Sequence, residues 1–371
     1  MFITYSRYAI TILSICRFIF IMVASHENAT GAAIIPSDRI QTYSKISTAL
    51  ACLSDQELSA RLESALELHS GIGGKLALLT INGVRVFVKK IPLTDLEQRP
   101  QNIRSTANIF HLPLYYQYGV GSTGFGAWRE LAAHIMTTNW VIAGDCPCFP
   151  LMYHWRIMPA PKPNPLSPDE QEALDKRVKY WESSKEIRNR LARLHDAKAY
   201  MVLFVEYIPQ TLNQWLKEKF QRGGAVADSA VKFVDDNLGA VVTFLKKQGF
   251  VHFDAHFHNI LTDGNLVYLS DFGLALSPQF DLTDAEKEFL RQHNDYDRRF
   301  VAMNLLKNIM RGLFGKEISW NSLLKNYLEH EIGPASPTID VIIQKYAKDA
   351  LSMGEFCNNL MNESKNAVYP F

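Results

Sequence analysis

The sequence predicts an α+β fold whose smaller front half carries strands and whose larger back half is helical. Three observations predict it. Two apolar runs, Leu76–Ile81 and Val84–Val88, are joined by Asn82-Gly83, and an Asn-Gly between β-rich runs signals a tight hairpin because both residues tolerate positive φ. From Gln210 onward the apolar residues recur mainly at helical spacing. Between them, Gly249–Ala275 follows a helical pattern and contains a second turn signal at Asp263-Gly264.

The bulk numbers set wide bounds. A chain of 371 residues, 47% apolar, has room for one to three domains. The net charge of +1, from 39 basic and 38 acidic residues, creates no global field toward nucleic acid. Of five cysteines only Cys146 and Cys148 are close, and no second pair or histidine cluster follows at zinc-site spacing. They read as buried free thiols of a reducing compartment. Residues 8–24 are almost wholly apolar after Arg7. Arg17 sits among them, where a charge costs about 2.5–3.5 kcal/mol in hydrocarbon. A membrane tether, a signal segment and an extension outside the folded domain all remain as readings.

The elements follow in order. Residues 45–69 are helical in spacing, with Ser54 and Glu57 forming the S-x-x-E box that starts a second helix. Gly71-Ile72-Gly73-Gly74 breaks the pattern, and the hairpin strands end at Lys89-Lys90. Residues 92–126 are polar and turn-rich, with no element assigned. A helix is expected over Ala127–Val141, a strand over 149–158, and a proline-rich stretch over Pro159–Pro168. Ser167-Pro168-Asp169-Glu170 opens a helix extending to about Leu194, through a serine cap and a first-turn proline. Met201–Tyr207 reads as a buried strand, and the halves meet near Pro209.

The decisive stretch is GFVHFDAHFHNILTDGNLVYLSDFGLA. His252-Phe253-Asp254 precedes Asn259 by five residues from the aspartate, and Asp271-Phe272-Gly273 begins twelve residues after Asn259. Six specified residues at this spacing recur by chance on the order of once in 10⁷ to 10⁸ windows. The stretch resembles the catalytic loop H-R-D-x-x-x-x-N and the D-F-G turn of the protein-kinase-like superfamily. Phosphoryl transfer needs positioning and charge neutralisation more than covalent help. The resemblance implies that Asp254 orients an acceptor hydroxyl and takes its proton. Asn259 and Asp271 then supply the hard oxygen ligands that suit Mg²⁺. Two departures stand out. Phe253 replaces the arginine that receives an activation-loop phosphate in many kinases. His256 replaces a lysine, giving an H-x-D-x-H-x-x-N loop that looks like that of aminoglycoside and choline kinases; a histidine there can still hydrogen-bond a γ-phosphate.

The rest of the implied nucleotide site is assembled by the same resemblance. Val86-Phe87-Val88-Lys89 is similar to V-A-I-K, which makes Lys89 the phosphate lysine, with Lys90 the alternative because one step along a strand flips the face. Glu130 is the acidic residue of the following helix and the implied partner of Lys89, so residues 92–126 look like an insertion. Two glycine loops compete as phosphate cover, and Gly71, Gly73 and Gly74 are assigned because they precede the lysine. Gly119–Gly126 is left to shape the insertion, to contact substrate or to form an ordinary turn. Phe204–Ile208 is similar to the strand-to-hinge segment, which places Val205 behind the adenine, the backbone of Glu206 and Ile208 against it, and Leu261 in the same pocket. One aspartate of Asp295-Tyr296-Asp297 braces the catalytic loop or caps the next helix. His195-Asp196 and His293 read as surface or cap residues.

The resemblance covers residues 71–310 and implies a bilobal protein-kinase-like fold. Its parts are a hydrophobic segment (1–30), a helical extension (31–70), a strand-rich lobe (71–208) with insertions at 92–126 and 159–198, and a helical lobe (209–371). Val86–Glu97 and Trp128–His134 are also similar to stretches of bacterial serine/threonine-kinase-like chains, so an ATP- and Mg²⁺-dependent protein kinase heads the readings. A small-molecule kinase of the aminoglycoside or choline type is favoured by His256 and by the missing A-P-E. A nucleotide-binding scaffold without turnover is the third. The implied partners are ATP and a protein or small-molecule hydroxyl acceptor, with no nucleic acid. A domain using ATP belongs on the cytoplasmic side, tethered or not through residues 8–24.

Overall fold

A computed structural model of the protein describes residues 37–68, 74–315 and 317–371. The apolar segment 8–24 and the glycines Gly71 and Gly73 lie outside them. Among the described residues no helix is long and apolar enough to cross a membrane.

The described residues are mixed α+β, with eleven α-helices, a five-stranded antiparallel sheet and a small three-stranded one. It opens with α1 (Ser37–Ala51) and α2 (Asp55–Glu63). The expected capping box forms: Ser54 Oγ accepts from the Glu57 amide at 3.2 Å, and the Glu57 carboxylate accepts from the Ser54 amide at 2.9 Å. The large sheet comprises β1 (Leu66–Glu67), β2 (Lys75–Ile81), β3 (Val84–Leu93), β4 (Met152–Pro159) and β5 (Ala199–Glu206), in the order β1-β2-β3-β5-β4. Asn82 and Gly83 take φ of 49° and 80°, the left-handed pair that a two-residue hairpin of matching twist requires.

Helix α3 (Ala127–Ile142) lies on this sheet. Ile91, Leu93, Leu131, Met201, Leu203 and Val205 form the core between them. The long helix expected after Ser167 is instead two, α4 (Pro168–Tyr180) and α5 (Lys185–His195). Glu182 and Ser183 adopt φ of 54° and 57°, and Ser184 caps α5 through the Ile187 amide. The break turns Trp181, fully buried, into a separate core with Tyr116, Phe125, Val178, Ile187 and Leu191. Burial of the indole works against the cost of the two αL positions, of order 1–3 kcal/mol each.

The back half contains β6 (Gln210–Thr211), α6 (Leu212–Arg222), α7 (Gly224–Lys247), β7 (Ile260–Thr262), β8 (Val267–Leu269), α8 (Asp284–Gln292), α9 (Tyr296–Phe314), α10 (Trp320–Leu328) and α11 (Pro337–Asn362). α9 packs on both α7 and α11. Arg39 of α1 ties the front of the chain to the end of β5. Its guanidinium donates to both Glu206 oxygens, at 2.6–3.1 Å, and to the carbonyls of Pro147 and Phe149, while lying over the Tyr268 ring. Cys146, Cys148 and Cys357 are buried free thiols as expected; Cys52 is free but exposed.

Trp181→Ala is expected to lower unfolding stability by about 3–5 kcal/mol. Urea denaturation checks it. A loss below about 1 kcal/mol would show that the separate core around Trp181 is not structural.

Candidate active site

The site is built from four pieces of chain far apart in sequence. β3 delivers Lys89, α3 delivers Glu130, the loop after α7 delivers Asp254 to Asn259, and the turn after β8 delivers Asp271 to Gly273. Lys89 Nζ lies 2.6 Å from Glu130 Oε1 and donates to Asp271 Oδ1 at 2.7 Å. Between the two candidates, the strand face selects Lys89.

Burial works against a charged Lys89, but the Asp271 and Glu130 carboxylates more than offset it and raise its pKa. Asp271 is packed among protein atoms, which pushes its carboxyl up. The Lys89 charge and hydrogen bond, with His252 behind, win and hold it at about 2. Its side chain is still 43% exposed, toward a cavity. Glu130 is raised by burial, with Lys89 opposing.

The second half of the site is the loop around Asp254. Asn259 Nδ2 donates to Asp254 Oδ2 at 2.9 Å and to its carbonyl at 3.1 Å. Among the described residues the Asn259 amide oxygen accepts no hydrogen bond. Ser270 donates to the Asn259 carbonyl through its amide at 2.9 Å and its hydroxyl at 2.7 Å, joining the loop to the Asp271 turn. His252 closes the link. Its Nδ1 accepts from the Asp254 amide at 3.3 Å, so its Nε2 carries the proton and donates to the Ser270 carbonyl at 3.0 Å. That tautomer is neutral, in keeping with a pKa that burial lowers to about 4.

Asp297 supports the loop from below. Its carboxylate accepts from the amides of His252 at 2.6 Å and Phe253 at 3.0 Å. Bracing is therefore the role the structure gives Asp297, while Asp295 pairs with Lys246 at 2.5 Å. Phe253 has φ of 61° and is fully buried among Tyr118, Phe289, His293 and Tyr296. His293 is thus not a surface residue: it accepts or donates to Tyr118 Oη at 2.7 Å and stacks on Phe289 and Tyr369. His195 is half-buried at the end of α5, its Nε2 2.9 Å from the Asn164 carbonyl oxygen. Phe272 is buried between His134 and His252.

Two features were missed in the sequence. The first is Glu97, in the segment left without elements. Gly126 precedes α3 and has no side chain to cap it. The Glu97 carboxylate takes that place, accepting from the Ala127 amide at 2.7 Å, from Thr94 and from Arg190. This fixes the first turn of α3, which carries Glu130. The T-x-x-E spacing of Thr94 and Glu97 was the available signal.

The second is the place of Gly119–Gly126. A Cβ added to Gly119 would lie 2.1 Å from Asp254 Oδ1, and one on Gly124 would lie 2.4 Å from the Gly273 carbonyl oxygen. The loop therefore rests directly on both the Asp254 loop and the Asp271 turn. It is anchored by Gln117, which donates to the Leu274 carbonyl, and by Tyr180, which donates to the Val120 carbonyl at 2.8 Å.

These elements enclose a cavity of about 350 Å³, bordered by Lys89, Gly121, Ser122, Asp254, Asn259 and Asp271. Gly74, Glu130 and His256 also reach it, whereas Val205, Glu206, Ile208 and Leu261 are not in its wall. Glu206 gives its side chain to Arg39 and its amide to the Leu151 carbonyl. Leu261 pairs with Thr211 and Tyr268 in the small sheet. His256 Nε2 stands 3.6 Å from Asp254 Oδ1, its pKa lowered by burial and by His258. The Asp254 carboxyl is pushed well up by burial and by the nearby Asp271 charge. A basic carboxylate thus faces hard oxygen donors across a small cavity. Among the described residues no three His, Cys, Asp or Glu side chains gather closely enough to hold a metal alone.

The chain matches no family model, and no curated protein matches it.

Lys89→Met leaves Glu130 buried without its cation, and stability should drop by about 3–5 kcal/mol. Gly119→Ala forces the loop off Asp254 and should cost on the order of 1–3 kcal/mol. Gly239→Ala, in an open helical position, should be neutral or slightly stabilising. Guanidinium melts compare the three. Equal stability of the two glycine variants would refute the close approach.

Proposed function

We propose that this protein is an ATP- and Mg²⁺-dependent phosphotransferase of protein-kinase-like, bilobal architecture. The observation that carries the reading is the Glu130–Lys89–Asp271 ion triad, facing an amide-held Asp254 across one cavity. The order of the five-stranded sheet, the helix that supplies Glu130, and the His252 and Asp297 bonds beneath the loop support it.

In this reading Lys89 holds the nucleotide's phosphates and Glu130 keeps its amine in place. Mg²⁺, when bound, neutralises charge building on the phosphates. Asp271 and the Asn259 amide oxygen fit it: two protein oxygens are what an octahedral cation keeps when phosphate oxygens and waters supply the rest. Asp254 holds the acceptor hydroxyl in line and takes its proton as the acceptor oxygen bonds to the γ-phosphorus. ADP leaves with the electron pair of the broken bond. The raised Asp254 pKa suits a proton acceptor. Gly74 borders the phosphate cavity, while Val205, the Glu206 and Ile208 backbone and Leu261, outside its wall, remain the proposed contacts of the adenine alone.

Of the acceptor classes, a small molecule is favoured over a protein segment. The Gly119 backbone lies against Asp254 Oδ1, where an extended peptide would have to pass. Only a short stretch separates Gly273 from α8, leaving little chain for a peptide-docking platform.

Asp254→Asn should reduce phosphoryl transfer by about 10²- to 10⁴-fold while ATP still binds. Asp271→Asn should weaken Mg²⁺-dependent ATP binding itself. Nucleotide titration with and without Mg²⁺, alongside ADP release, separates the two. Undiminished turnover in the Asp254 variant contradicts its role.

A further inference from the structure

A second cavity, of about 430 Å³, lies beside the catalytic loop, between α6 and α9. Its polar wall consists of Asn213, Lys217 and Gln221 from the first helix, His258 from the loop, and Asn308 and Arg311 from the second. No carboxylate borders it. Among the described residues neither Lys217 nor Arg311 has a hydrogen bond or ion pair, and the same holds for half-buried Lys307. Lys307 and Arg311 stand one turn apart on α9. Like charges at that spacing repel; burial, and after it Arg311, lowers the amine of Lys307. Lys217 and Arg311 thus border one cavity whose wall holds no carboxylate, with Lys307 one turn from Arg311.

This cavity adjoins the transfer centre. His258 borders it, His256 borders the catalytic cavity, and the two rings are 5.9 Å apart. Around Asp254, Asn259 occupies Oδ2 and Gly119 covers one approach to Oδ1. The remaining neighbour of Oδ1 is His256. His256 and His258 thus form the step from Asp254 to the cavity that Lys217 and Arg311 border.

We propose that the acceptor is a small anionic alcohol, phosphorylated or carboxylated, whose negative group is held by Lys217, His258 and Arg311 while its hydroxyl reaches Asp254. This rests on the phosphotransferase reading. The chemistry is unchanged: the hydroxyl oxygen bonds to the γ-phosphorus, its proton goes to Asp254, and ADP departs. The cation pocket selects for a charged acceptor, since a neutral one leaves the pocket's charges unanswered.

The anion site can be read by itself. Calorimetric titration of inorganic pyrophosphate into protein saturated with Mg²⁺ and a non-hydrolysable ATP analogue should show binding at about 1 mM or tighter, weakened at least about tenfold by the Lys217→Ala/Arg311→Ala double variant. Both residues are exposed, so the variant should fold, and its analogue affinity reports this. Binding unchanged in the double variant, or none in wild type, overturns the proposal. Absence of Mg²⁺-dependent analogue binding instead sinks the phosphotransferase reading and leaves the anion site standing. In the ADP-release assay, glycerol 3-phosphate and glycerate should outperform glycerol and casein. Phosphorylation of glycerol or casein with no gain from either anionic alcohol also overturns it, and a difference between those two alcohols tells phosphate from carboxylate.

Discussion

Lys89 carries a charge into the interior, and water is not there to stabilise it. Two carboxylates do so instead, one on a helix and one on a turn of the opposite half of the chain. Neither carboxylate would be tolerable in that position without the lysine, and the lysine would lose its proton without them. The triad therefore fixes three elements against one another. It also leaves Asp271 ionised with an open side, which is the state a cation-binding oxygen must have.

A second layer holds this arrangement in place. Glu97 caps the helix that presents Glu130, and Arg190 neutralises Glu97 in turn. Arg129 pairs with fully buried Glu286, joining α3 to α8. Asp297 fills both amides below His252 and Phe253, which allows Phe253 to take a left-handed conformation and its ring to enter an aromatic cluster. Asp271, too, is left-handed, with φ of 64°. At these two positions the surrounding bonds sustain the left-handed backbone.

Much of this was legible in the chain order. The hairpin over Asn82-Gly83, the capping boxes at Ser54 and Ser167, and the spacing from Asp254 to Asp271 all rest on local rules, and the structure places them as expected. Lys89 and Glu130 were named as partners across 41 residues, from a pattern rather than a contact. What could not be read was anything depending on the segment 92–126. Residues 92–126 have no periodicity, because their burial follows the shape of a cleft and not of a helix or strand. The break at Trp181 was missed for a similar reason: the helical pattern on either side is sound, and only the distant core of Tyr116 and Phe125 explains why it stops.

By itself the sequence determined the turns, the caps and the spacing of the candidate site residues, since these are short-range and each residue announces its own preference. The tertiary structure alone decided which of two lysines faces inward, which of two aspartates braces the loop, and where the Gly119 loop lands. Those outcomes depend on volume and charge brought together from remote parts of the chain. No local preference encodes an approach of two backbones to within a missing Cβ.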